Sequence, residues 1–132
     1  MTEYFASCRC GQLRAHCQGA PAQVLVCHCL NCQKRSGSAV TVQARWAEAH
    51  VTLAGTFQSW TGAGDSGGQA TFRFCPQCGG TVAYTVAALP GMIAIPVGAF
   101  ADPQFPAPEV SIYEERKHGW VAVLGDGVAH IE

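Results

Sequence analysis

The chain has 132 residues, 48% of them apolar and only 13% charged, a balance that argues against disorder and for one packed domain spanning residues 1–132. A net charge of −1 gives no general attraction to nucleic acid or to an anionic membrane, so neither is expected as a partner. Fifteen glycines and seven prolines divide the chain into short pieces, which favours a mainly β fold.

Eight cysteines would suffice for four disulfides, but Met1-Thr2-Glu3-Tyr4-Phe5 contains no basic segment leading into an apolar run. A cytoplasmic location is expected, where paired thiols point to metal sites rather than bridges. The first pair, Cys8-Arg9-Cys10, is backed by Gly11. Gln12 to Cys17 then alternates, so that Leu13, Ala15 and Cys17 share one face of a strand. Gln23-Val24-Leu25-Val26 is a second short strand leading into Cys27-His28-Cys29-Leu30-Asn31-Cys32, three thiols within six residues.

Gln33 to Ser38 reads as a polar, basic loop ending near Gly37, and strand character resumes from Ala39, with Trp46 and Glu48 opening the next connection. His50-Val51-Thr52-Leu53 and Thr56 to Trp60 continue the β pattern. Thr61 to Gln69 holds four glycines with one Asp and one Ser, the composition of a mobile loop. Ala70-Thr71-Phe72-Arg73-Phe74 runs directly into Cys75-Pro76-Gln77-Cys78, backed by Gly79-Gly80. The uncharged span from Thr81 to Phe100 has the length of a membrane helix, yet Pro90-Gly91 and Pro96 interrupt it. Two buried strands joined at Leu89-Pro90-Gly91 are expected instead. A proline-bearing connector follows, and Ser111 to Val121 is open to either a helical turn or an extended edge.

Tetrahedral zinc permits two partitions of these sulfurs. In one, Cys8, Cys10, Cys75 and Cys78 close a four-thiolate site while Cys27, Cys29 and Cys32 hold a second ion with one position open; in the other, Cys17 closes that second site. Cys17 lies mid-strand without a partner thiol, the pattern of a small buried hydrophobe, so the open version is favoured. His28 sits between two thiols and points away from them in an extended knuckle, and His16, His50, His118 and His130 have no ligand-like spacing. An open metal position suits activation of a thiol, and Lys34 and Arg35 next to it suit a thiol that bears carboxylates. Tyr4, Tyr84, His28 and Arg35 are candidate donors to a developing alkoxide.

The thiol groups Cys8-Arg9-Cys10-Gly11, Cys27-His28-Cys29-Leu30-Asn31-Cys32-Gln33-Lys34 and Phe74-Cys75-Pro76-Gln77-Cys78-Gly79-Gly80 resemble those of the glutathione-dependent formaldehyde-activating family, whose domain also occurs in centromere protein V. Pro96-Val97-Gly98-Ala99-Phe100 with Asp102-Pro103, Pro108 and Trp120 extend the resemblance towards the end of the chain. It implies several curled antiparallel sheets (a β-tent) with little helix, and two zinc ions, one structural and one functional. It implies further a carbon–sulfur lyase that joins glutathione to formaldehyde or a related small carbonyl. By position, Cys8, Cys10, Cys75 and Cys78 would be the structural ligands, and Cys27, Cys29 and Cys32 the functional ones. The competing expectations are a non-catalytic zinc module for protein interaction and a thiol-responsive zinc sensor or carrier.

Overall fold

The structure is a computed structural model that describes residues 1–132. Its strands are β1 (Glu3–Ser7), β2 (Arg14–Gln18), β3 (Gln23–Cys27), β4 (Thr41–Ala47), β5 (Val51–Ala54) and β6 (Gln58–Ala63). They continue with β7 (Gln69–Phe74), β8 (Thr81–Val86), β9 (Met92–Pro96), β10 (Val110–Ile112) and β11 (Ala129–His130). One α-helix, α1 (Leu30–Ser36), is accompanied by three short 3-10 turns. The fold is therefore mainly β, as the glycine-rich composition implied.

A small sheet has the order β1-β2-β5, and a large one runs β11-β10-β3-β4-β9-β8-β7-β6. Pairing is antiparallel except at one edge, where β10 lies parallel to both β3 and β11. The main core forms between the two sheets. Leu13, Ala15 and Cys17, all at most 2% exposed, come from the small one, and Val24, Ala44, Trp46, Val82, Ile93 and Ile95 come from the large one. The alternation read along Gln12 to Cys17 is thus the inward face of β2, with Leu13 just ahead of the strand.

Because successive strand residues point to opposite faces, the core assignment fixes what the other face of the large sheet carries. On β4, Ala44 and Trp46 face the core, which sends Gln43 and Arg45 to the far side. In register with Arg45 lie Ala94, Tyr84, Phe72 and Trp60, a row that crosses four further strands. This far face forms the floor of a cleft.

Three segments depart from the sequence expectations, and a fourth that was left open is decided. Gln33 to Ser36 belong to α1, not to a loop: the Cys29 sulfur accepts the Cys32 N–H at 3.2 Å at the helix start, and the Gly37 N–H reaches the Gln33 carbonyl at 2.8 Å at its end. Trp46 does not open a connection but ends the buried part of β4, donating its indole N–H to the Gly19 carbonyl at 2.9 Å. The supposed loop from Thr61 to Gln69 is mostly hairpin, with a tip closed by the Gly64 N–H on the Gly68 carbonyl at 2.7 Å. Ser111 to Val121 uses both options, an edge strand and then a 3-10 turn over Glu114–Arg116. The uncharged span Thr81 to Phe100 folds as strands β8 and β9 followed by a 3-10 turn, and no helix is long and apolar enough to cross a membrane.

Candidate functional site

The sequence pairs Cys8/Cys10 and Cys75/Cys78 sit in two glycine-backed turns, one after β1 of the small sheet and one after β7 of the large sheet. Gly11 and Gly79 hold φ of +87° and +79°, which lets each turn fold back towards its sulfurs. The four sulfurs converge within 4.8 Å of one another, with Cys8–Cys10 at 3.6 Å and Cys10–Cys75 at 3.7 Å. A tetrahedron with metal–sulfur bonds of about 2.3 Å has sulfur–sulfur edges of about 3.8 Å. The donor set therefore fits such an ion. Donors aim at the sulfurs as they would at thiolates: the Leu13 N–H to Cys8 at 3.3 Å, the Gln77 N–H to Cys75 at 3.3 Å and the Gln12 amide to Cys75 at 3.0 Å.

Cys27, Cys29 and Cys32 form a second group, again with all sulfurs within 4.8 Å. Cys27 ends β3, Cys29 caps α1 and Cys32 lies in its first turn, so the helix missed in the sequence is what brings the third sulfur round. Thiol hydrogen bonds from Cys27 and Cys29, helped by the Arg35 charge, pull Cys32 down to about 3, while the bonds it makes to Cys29 and Cys32 push Cys27 up. The thiols thus share hydrogen bonds that favour the thiolate at Cys32, and three sulfurs gathered so closely suit a cation. Cys17 is not among these sulfurs. It is fully buried in the main core, where desolvation pushes its thiol up to about 12.

The three-cysteine group opens on a cleft of about 540 Å³ over the far face of the large sheet. Lys34 and Arg35 of α1 both border it, Lys34 exposed and Arg35 half-buried. The Arg35 guanidinium lies 4.9 Å from the centre of the Phe72 ring and 5.4 Å from that of Tyr84, over the aromatic floor. Its Nε is buried without a partner. Burial, followed by the charge on Cys32, holds Tyr84 well above the usual tyrosine range, so it remains a protonated O–H donor.

Of the other expected donors, Tyr4 is in the opposite core, with Trp46, Phe100 and Phe105 at ring distances of 5.9, 6.1 and 5.3 Å. His28 is fully buried and directs its Nε2 to the Ser111 hydroxyl at 2.8 Å, away from the sulfurs. Neither borders the cleft. His16, His50, His118 and His130 join neither sulfur group.

Several residues of the site escaped the sequence reading, Gln43 and Asp65 among them. Gln43 is 3% exposed, borders the cleft and has an amide oxygen without a partner. An amide between apolar residues inside a strand, two places from Arg45, was the available signal. Asp65, in the hairpin tip, accepts the N–H groups of Leu30 and Asn31 at 2.9 and 3.2 Å and so anchors the start of α1. It was the one carboxylate in a glycine-rich stretch.

Fold and site define a β domain with two cysteine groups able to hold metal ions, one tying the sheets together and one facing a cleft. Residues 3–116 match the model of the family described as glutathione-dependent formaldehyde-activating enzyme, and the chain belongs to that family. A solved structure of a Rhodobacter sphaeroides protein is similar, with 18% identity and a TM-score of 0.54 over 75% of this chain and 91% of that one. No curated protein matches the sequence.

Proposed function

We propose that this chain is a zinc-dependent carbon–sulfur lyase of the formaldehyde-activating type, a single cytoplasmic domain over residues 1–132 that adds a thiol such as glutathione to formaldehyde or a related small carbonyl. Family membership supports it, and one observation carries it: three sulfurs without a fourth protein ligand, at the wall of a cleft bordered by Lys34, Arg35 and Arg45. An interaction module or a zinc carrier has no need of a cleft with fixed cations around its metal.

Cys8, Cys10, Cys75 and Cys78 would hold a structural zinc, and Cys27, Cys29 and Cys32 a functional one. Zinc bound at the second group supplies the positive charge that keeps an incoming thiol deprotonated at neutral pH. Lys34 and Arg35 bind the carboxylates of that thiol. The thiolate sulfur forms a bond to the carbonyl carbon, and the carbonyl π pair moves to oxygen, which ends as a hydroxyl on the adduct. Arg35 and the protonated Tyr84 are the donors positioned to stabilise that oxygen as its charge develops.

The test is the rate of adduct formation above the uncatalysed reaction, with glutathione and formaldehyde, for the zinc-loaded protein and its Arg35→Ala variant. Acceleration that falls about 100- to 1000-fold in the variant is expected, the range for removal of one oxyanion donor. No acceleration by the zinc-loaded protein defeats the enzymatic reading.

A further inference from the structure

We propose that the carbonyl substrate of this site is an aldehyde bearing a flat aromatic group, which lies on the indole of Trp60 in the lining of the cleft. The proposal rests on the thiol–carbonyl reading of the three-cysteine group and adds to it the class of the carbonyl.

The cleft is far larger than formaldehyde requires. At about 540 Å³ it falls within the roughly 300–1,000 Å³ range of sites that enclose drug-sized ligands. Its lining combines two chemistries. Lys34, Arg35 and Gln43 are polar, whereas Trp60, Phe72, Tyr84, Val86 and Leu89 supply a mostly apolar floor. The one carboxylate on the lining, Asp65, is engaged with the start of α1 and with Arg116 at 3.6 Å, so the cleft presents both unopposed cations and aromatic rings. That combination suits an adduct with an anionic thiol part and an apolar carbonyl part.

Along the floor the rings follow strand register. Phe72 lies 5.0 Å from Tyr84, and Trp60 lies 6.2 Å from Phe72 with ring planes only 26° apart. Arg35 already covers Phe72 and Tyr84. Trp60 is the ring left open, 59% exposed at the cleft although it is a large apolar side chain. Its indole leans along its own strand over Gly62, and a Cβ at position 62 would collide with the ring. The glycine is what allows the indole to lie down, leaving one face against the backbone and the other towards the cleft. An open indole face fixed in this way binds flat, apolar groups at low entropic cost.

In the reaction the thiol sulfur bonds to the aldehyde carbon, the carbonyl π pair passes to oxygen, and the thiol proton ends on that oxygen. Nothing is oxidised or reduced. The test uses the zinc-loaded full chain with glutathione and either 4-nitrobenzaldehyde or formaldehyde, each rate taken relative to its uncatalysed reaction. Binding of 4-nitrobenzyl alcohol, which cannot react, is measured in parallel by calorimetry. Expected are greater acceleration with 4-nitrobenzaldehyde, a preference that falls about five- to tenfold in Trp60→Ala and Gly62→Ala and is largely restored in Trp60→Phe, and alcohol binding lost in Trp60→Ala. Trp60 is exposed, so its variants are expected to fold even where Gly62→Ala does not. Equal or greater acceleration with formaldehyde, or alcohol binding unaffected by Trp60→Ala, overturns the proposal. Acceleration with formaldehyde alone leaves the thiol–carbonyl reading intact and removes the aromatic substrate. Trp60-dependent alcohol binding without acceleration of any aldehyde overturns the reaction instead, and with it the assignment of the ligand as a carbonyl.

Discussion

Asp65 holds Leu30: its carboxylate accepts the Leu30 N–H at 2.9 Å across 35 positions of sequence, fixing the start of the helix that carries Cys32. The hairpin tip and the three-cysteine group are therefore coupled. Asp65→Ala is expected to weaken metal at that group about 10- to 100-fold, the usual effect of losing a group that orients ligands. The four-cysteine group should keep its ion. Competition with a chromophoric chelator measures both affinities, and equal binding by wild type and variant at the three-cysteine group contradicts the coupling.

Removing the four-cysteine clamp should unfold the protein. Cys10 and Cys75 are 65 positions apart and come from different sheets, so metal binding there closes a long loop and supplies folding energy of order 10 kcal/mol. Cys75→Ser, or prolonged chelation, is expected to abolish the cooperative thermal transition seen by circular dichroism. An unchanged melting point would show that the two sheets hold together without the ion.

Cys17 provides the opposite expectation. It is fully buried among Leu13, Ala15 and Trp46, so Cys17→Ala should leave both metal stoichiometries unchanged and lower stability by about 1 kcal/mol through the small cavity it leaves. Loss of one metal equivalent in this variant would make Cys17 a ligand.

Glu114 gives a pH signature. The hydrogen bond from His130, at 2.7 Å, and then that from Ser111 hold its carboxyl below the ordinary value of 4.5. A depressed carboxyl binds fewer protons folded than unfolded, so its stabilising contribution is complete above the unfolded value and disappears as pH falls through the folded one. The difference in melting temperature between wild type and Glu114→Gln is therefore expected to be largest near neutrality and to shrink below about pH 4.5. A constant difference across that range removes the pair from the acid response.

Much of the fold was legible because local chemistry dictated it. The alternation of Leu13, Ala15 and Cys17, the prolines within Thr81 to Phe100 and the glycines behind each thiol pair all act over a few residues. So did the grouping of seven sulfurs by spacing. The helix over Leu30–Ser36 was hidden because its start depends on Asp65, far away in sequence, and on a sulfur used as a cap. Tyr4 and Tyr84 looked equivalent as donors, and only the stacking of the two sheets sent one into the core and the other into the cleft. Gln43, Phe72 and Trp60 became parts of one surface through strand register, which a linear chain does not display. Sequence alone determined which atoms can grip metal, because ligand chemistry belongs to residue type and spacing. The space beside that metal was decided by tertiary structure, because a cleft exists only when distant strands are laid side by side.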